Sequence, residues 1–140
     1  MDSNTTEIQI RRYDFTAHRN LFSHIVSLFK RNDLYVVDHG DADLMRSRLF
    51  LVAIMDGNLV AAVECRFEED CLKILNFAVE IKHQNMRIGT FFLANLEIYI
   101  EVFHKNINKV SCIAGNNSKA FYEKNGYKFN GMFHNKLVSK

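Results

Sequence analysis

No proline occurs in the 140 residues, where ordinary usage would supply roughly seven. Prolines therefore mark no linker or boundary, and no repeat or low-complexity stretch divides the chain, so one domain over residues 1–140 is expected. Tryptophan is absent and cysteine scarce: Cys65, Cys71 and Cys112 are an odd number without CxxC spacing. That argues against a disulfide framework or zinc site, and for reduced core thiols in a cytoplasmic protein. No apolar run reaches the roughly 18 residues that span a bilayer, and MDSNTTEIQI has no signal-peptide core, which excludes a membrane or secretory reading. The net charge is only +2 with both signs interspersed, so no nucleic-acid partner is implied. None of the six histidines pairs with another at i+3 or i+4. His39 sits among Asp38, Asp41 and Asp43, which reads as a solvated acidic loop or an attractor for a cationic partner, and no metal is expected.

What is present is globular. An apolar fraction of 48% against 24% charged excludes disorder, and a chain of this length buries roughly 68% of its unfolded surface, enough for a core without staples. IQIRRY (8–13) alternates as a first strand. Residues 17–31 carry Leu21, Phe22, Ile25, Val26, Leu28 and Phe29 at helical spacing. The polar stretch 38–48 reads as a loop with a brief helix. LFLVAI (49–54) and LVAAVECRF (59–67) flank Asp56-Gly57, a hairpin signal, and LKILNFAVE (72–80) follows across the acidic turn Glu68-Glu69-Asp70.

Residues 90–104 form a long helix that is apolar most of the way round, which predicts cover on both sides. KVSCIA (109–114) is the fifth strand, 117–125 a short helix stopped by Gly126, and YKFNGMFHNKLV (127–138) a final strand. The order β-α-(α)-β-β-β-α-β-α-β gives antiparallel pairing among the early strands and a parallel crossover over the long helix. The fold class is therefore α/β (α+β), a mixed sheet with helices on both faces. Ending about thirteen residues after Tyr127, the chain is expected to have a seventh strand that is short or missing, leaving an open groove or an edge that a partner chain completes.

Two stretches carry chemistry. The first runs from strand 72–80 through Gln84-Asn85-Met86-Arg87-Ile88-Gly89-Thr90 into the long helix. A strand feeding a helix start presents unpaired N–H groups and a positive dipole end, which suits an anion, although one glycine there is also ordinary turn chemistry. The second is Asn116-Asn117-Ser118-Lys119-Ala120-Phe121-Tyr122-Glu123-Lys124-Asn125-Gly126-Tyr127, which taken alone reads as a capped helix with a glycine stop.

Together they resemble the GNAT superfamily of acyl-CoA-dependent N-acetyltransferases. The family's V-x-P-x-x-[RQ]-x-x-G-x-[GA] is met by Val79 through Gly89, with Ile81 for the proline and Arg87 for the first glycine. Its N-x-x-A-x-x-F-Y-E-K-x-G-[FY] resembles Gly115 through Tyr127, with Gly115 for the asparagine, Ser118 for the alanine and Asn116 or Asn117 as stand-ins, and FYEKNGY matches without a gap. The resemblance implies a GNAT-like fold, a central mixed sheet of six to seven strands with about four helices. It also implies acetyl transfer from acetyl-CoA to a primary amine of a small molecule or protein, in a monomer or homodimer.

The cofactor-binding residues it implies are Phe77, Ala78, Val79, Gln84, Asn85, Met86, Arg87, Ile88, Gly89, Thr90, Asn116, Asn117, Phe121, Tyr122 and Lys124. The Val79 N–H is the implied donor to the thioester oxygen, and Tyr122 the implied acid for the leaving thiolate. Packing of Tyr122 between helix and sheet is the plain alternative. Members with a glutamate base on the fourth strand carry it where Lys73 stands here, so the candidates for the base are Glu64, Glu80, His83 or a water chain. Direct transfer in a ternary complex follows because no histidine motif stands ready to activate a cysteine. Arg87 and the missing glutamate also fit a non-catalytic module that binds acyl-CoA and acts through a protein partner.

Overall fold

The computed structural model describes residues 7–14, 19–36, 40–84, 87–115 and 118–138. Seven strands form one mixed sheet: β1 (Ile8–Tyr13), β2 (Leu49–Met55), β3 (Asn58–Glu68), β4 (Cys71–Val79), β5 (Lys109–Cys112), β6 (Lys128–Phe129) and β7 (His134–Leu137). The helices are α1 (Arg19–Arg31), α2 (Ala42–Ser47), α3 (Ile88–Phe103) and α4 (Lys119–Lys124), with a 3-10 turn over Ile81–His83. The spatial order is β1-β2-β3-β4-β5-β7-β6. Only β4 and β5 pair in parallel, and α3 supplies the crossover that a parallel pair requires.

Local chemistry explains most of these elements. Asp56 and Gly57 both have positive φ, the conformation of the tight turn that joins β2 to β3. Asp41 caps α2 by accepting from the amides of Asp43 (3.0 Å) and Leu44 (3.2 Å). Ile25, Leu28 and Phe29 of α1 pack with Met45, Phe50, Val52, Ala62 and Ala78 on one face of the sheet. Phe92, Leu93, Leu96 and Ile100 of α3 join Leu51, Val63, Leu72, Val110 and Tyr122 on the other.

Two expectations change. The long helix is not covered on both sides: Phe91, Ile98, Val102 and Phe103 of α3 are exposed, because no described element lies outside it. Apolar composition all round a helix therefore did not report burial here. The final strand is in fact a hairpin, β6 and β7. Asn130 bends the chain back by accepting from the amides of Met132 (3.2 Å) and Phe133 (2.9 Å), and Gly131 supplies φ +101°. The seventh strand is present and short, the first of the two outcomes expected for it: four residues that insert between β5 and β6.

Candidate active site

The decisive irregularity lies in β4. Opposite β3 the register runs Cys65↔Ile74 and then Glu64↔Asn76, so Leu75 is an extra residue, a β-bulge. Up to the bulge, Leu72 and Ile74 face α3; beyond it Phe77 and Val79 do, and Asn76 and Ala78 turn to the α1 face. On the other edge the ladder with β5 covers only Cys71↔Lys109 to Ile74↔Cys112, whereas β4 runs on to Val79. The two strands diverge beyond Ile74 and Cys112. The Glu80 N–H donates to Val60 on β3 (2.7 Å), so the preceding Val79 N–H lies on the opposite edge, toward this opening.

The start of α3 closes one end of the opening. Its first turn leaves the N–H groups of Ile88, Gly89 and Thr90 without intrahelical acceptors, the Phe91 N–H being the first to bond back, to the Arg87 carbonyl (3.1 Å). Arg87 occupies the cap position with φ +60° and ψ +14°, left-handed backbone that costs an L-residue about 1–2 kcal/mol. A Cβ on Gly89 would lie 3.1 Å from the Phe121 ring and 3.6 Å from the Val79 side chain, so the glycine lets α3 sit tightly against α4 and β4. Phe77 gathers this side of the site, its ring centroid lying 5.5 Å from Phe92, 5.5 Å from Phe121 and 6.3 Å from Tyr122.

Tyr122 points beneath the divergence. It is 5% exposed, with its hydroxyl on the side of Cys112, the last residue of β5. Burial, reinforced by the Cys112 and Cys65 thiols, pushes that hydroxyl well above the usual tyrosine range, so it stays a proton donor at neutral pH. Cys112 is itself pushed up to about 12, by burial, and burial pushes Cys65 well up too. Neither is a ready nucleophile. Iodoacetamide should therefore alkylate the half-buried Cys71 in the native protein and spare Cys65 and Cys112 until denaturant is added, which mass spectrometry of the labelled peptides reads directly.

The carboxylates proposed as bases stand elsewhere. Glu64 lies on the α1 face, 0% exposed, its Oε2 2.6 Å from Arg48 Nη1 and its Oε1 accepting from Asn76 Nδ2 at 2.8 Å. Burial raises its pKa, and the bonds from Asn76 and Arg48 act against that rise. Glu80 holds Arg31 through two bonds of 2.7 and 3.3 Å, which keep its carboxyl below the usual range. His83 ends the 3-10 turn, with a buried Nδ1 that has no hydrogen-bond partner. Gln84 spends its amide on the Val79 carbonyl (3.1 Å) and Asn32 (3.0 Å), and its N–H on Ile81 (3.3 Å). It ties the end of β4 to α1.

Ala78 packs into the α1-face core, and Lys124 is exposed in the last turn of α4. Asn85, Met86, Asn116 and Asn117, and the acidic stretch at Asp38 and His39, lie outside the described residues. Among the described residues no cluster of His, Cys, Asp and Glu could hold a metal. Sequence reasoning missed Arg48 and Asn76; a lone asparagine in ILNFAV was the available signal.

The comparisons agree with this geometry. A family model described as an acetyltransferase (GNAT) domain matches residues 46–129, more than half of the chain. No match was found among curated proteins. Among solved structures, N-acetylglutamate synthase from Neisseria gonorrhoeae, complexed with coenzyme A and N-acetyl-glutamate, superposes with a TM-score of 0.77 at 16% identity, over 96% of this chain and 36% of that one. The chain thus spans about a third of that synthase. The ribosomal-protein-S18-alanine N-acetyltransferase from Escherichia coli gives 0.77 at 15% identity over 96% of each chain. An aminoglycoside 6'-N-acetyltransferase complexed with coenzyme A gives 0.76 at 16% over 94% of this chain and 98% of that one. Diverging parallel strands, an amide-bearing helix start and FYEKNGY share one framework, and the family match runs across all three: the chain belongs to the GNAT acetyltransferase family.

Proposed function

We propose that this protein moves the acetyl group of acetyl-CoA to a primary amine by direct transfer in a ternary complex. The observation that carries it is the divergence of β4 from β5 between the start of α3 and the hydroxyl of Tyr122. The cosubstrate's pyrophosphate suits the amides of Ile88 to Thr90, which have no acceptor among the described residues, and the Arg87 guanidinium. Its pantetheine arm pairs along the open edge of Leu75–Val79, as an added strand does, with Phe77 and Phe121 beside it. Acetyl-CoA supplies the activated acyl group. The Val79 N–H meets the thioester oxygen, the amine nitrogen bonds to the acetyl carbon, the C–S bond breaks, Tyr122 protonates the sulfur, and the proton shed by the nitrogen as the amide forms returns to Tyr122 through water. The ammonium's proton leaves through water, since Glu64 and Glu80 are both held in ion pairs. Three free cysteines support a reducing, cytoplasmic location.

The test is calorimetric titration with acetyl-CoA against dephospho-coenzyme A. Turnover is then followed on a panel of L-glutamate, an aminoglycoside, an alanine-initiated peptide and a lysine-containing peptide. Micromolar binding and amine-dependent release of free thiol are expected; no binding at millimolar acetyl-CoA would overturn the reading. The engaged state of both carboxylates favours a second reading, an acyl-CoA-binding regulatory module, which predicts the same binding with no turnover on any amine.

Arg87 separates its two effects by substitution. Arg87→Ala should weaken coenzyme A about 10-fold, since a charged hydrogen bond contributes ~1.5–3 kcal/mol. Arg87→Gly should weaken it equally while raising stability by about 0.5–1 kcal/mol, because glycine accepts φ +60° without strain. Unchanged or tighter binding in both would remove Arg87 from the phosphate site.

A further inference from the structure

We propose that Glu97, on α3, positions Tyr122 for proton transfer by holding the end of α4 through Tyr127 and Lys136, so that the acid and the cosubstrate are both referred to one helix. The proposal rests on the acetyl-transfer reading above and gives Glu97 no contact with either substrate.

The end of α4 is built from backbone bonds that reach Tyr122 itself. Gly126, at φ +94°, turns the chain back, so that the Tyr127 N–H donates to the Tyr122 carbonyl (3.0 Å) and the Gly126 N–H to that of Glu123 (3.1 Å). Tyr127 thus holds the backbone of the acid directly, and its ring centroid lies 5.4 Å from that of Tyr122. Tyr127 is held in turn by Glu97. Its hydroxyl, on a residue 2% exposed, donates to Glu97 Oε2 at 2.9 Å. Burial, reinforced by the Glu97 carboxylate, pushes that hydroxyl well above the usual tyrosine range, so it remains the donor. The other oxygen, Glu97 Oε1, accepts from Lys136 Nζ at 2.9 Å, and the same ammonium donates to the Asn125 carbonyl at 3.0 Å. One carboxylate therefore fixes both the side chain that follows the helix stop and the cation that caps it.

A helix of six residues has little stability of its own, so contacts from outside set where α4 lies. The longer α3 is anchored by Phe92, Leu93, Leu96 and Ile100 in the core. Its first turn presents the amides of Ile88 to Thr90, and Glu97 follows Gly89 by about 12 Å of helix. The phosphate contacts and the anchor of the acid are thereby held at one spacing before acetyl-CoA binds, and proton transfer in the transition state depends on that spacing. His134, on β7, ties α4 separately through Glu123 at 2.8 Å, a contact that loss of Glu97 leaves in place.

The experiment is single-turnover acetylation by the full chain, on whichever panel amine the wild type accepts, with Tyr127→Phe, Glu97→Ala and Glu97→Gln. Tyr127→Phe should slow transfer about 5–10-fold, the size of one lost hydrogen bond, and Glu97→Ala at least as much, with the acetyl-CoA dissociation constant within about twofold. Glu97→Gln, which still accepts from Tyr127, should recover most of the rate. Added to Tyr122→Phe, Tyr127→Phe should slow transfer no further, because its effect passes through a hydroxyl already removed. Hydrogen exchange at the Tyr127 amide should quicken in Glu97→Ala, a readout that needs no turnover. An unmoved rate in Tyr127→Phe, equal losses with and without the Tyr122 hydroxyl, or unchanged exchange in Glu97→Ala overturns this proposal alone. A wild type that never binds acetyl-CoA, or binds it and acetylates no amine, overturns the acetyl-transfer reading beneath it.

Discussion

Tyr122→Phe is expected to lower kcat by ~10²–10⁴, the usual worth of a positioned general acid, while the dissociation constant for acetyl-CoA stays within about twofold. The ring of Tyr122 does the packing, against Phe121 at 5.2 Å and Tyr127 at 5.4 Å, and phenylalanine keeps all of it. Only the hydroxyl is lost, so the fold should melt close to the wild type. Single-turnover acetylation measured beside calorimetry separates the two quantities. A variant that retains full kcat would leave Tyr122 as core packing. A variant that loses binding and turnover alike would mean that the hydroxyl shapes the cofactor channel.

Removing the Arg48 guanidinium should be the most damaging change to the fold. Arg48→Ala strands the Glu64 carboxylate, 0% exposed, without its counter-charge. Breaking one side of a buried pair typically costs about 3–5 kcal/mol, or a melting-temperature drop on the order of 10 °C for a chain of this size. Arg48→Met combined with Glu64→Leu should recover most of that loss, because neither member of the pair then stays charged without the other. Asn76 keeps one unpaired donor, about 1–3 kcal/mol. Thermal melts of the single and double variants complete the cycle. A single variant that melts with the wild type would show that the pair contributes little here.

How much of this was readable beforehand depends on the range over which each feature is encoded. The Asp56-Gly57 turn, the apolar stripe of α1 and the glycine stop after α4 are chosen by a few neighbouring residues, and a few neighbouring residues display them. The Asn130-Gly131 turn was equally local, and was lost only by reading the alternation of 127–138 through it. The exposed side of α3 shows the limit of composition. A helix has the same residues whether or not something covers it, and cover depends on what packs from outside.

The candidate site divides in the same way. Residues 79–89 and FYEKNGY carry the family resemblance because each lies in one contiguous string. The fate of Glu64 does not. Its face is set by an alternation shared with β2 and β4, its partner Arg48 is sixteen residues earlier, and Asn76 reaches it only because β4 slips by one residue at Leu75. The sequence by itself determined the family and the order of the elements up to the last hairpin, since period-two and period-3.6 patterns and capped turns are local. Only the tertiary structure decided which carboxylates are engaged, where β7 inserts and how far β5 follows β4, because strand register is a pairing between distant segments and neither segment specifies it alone.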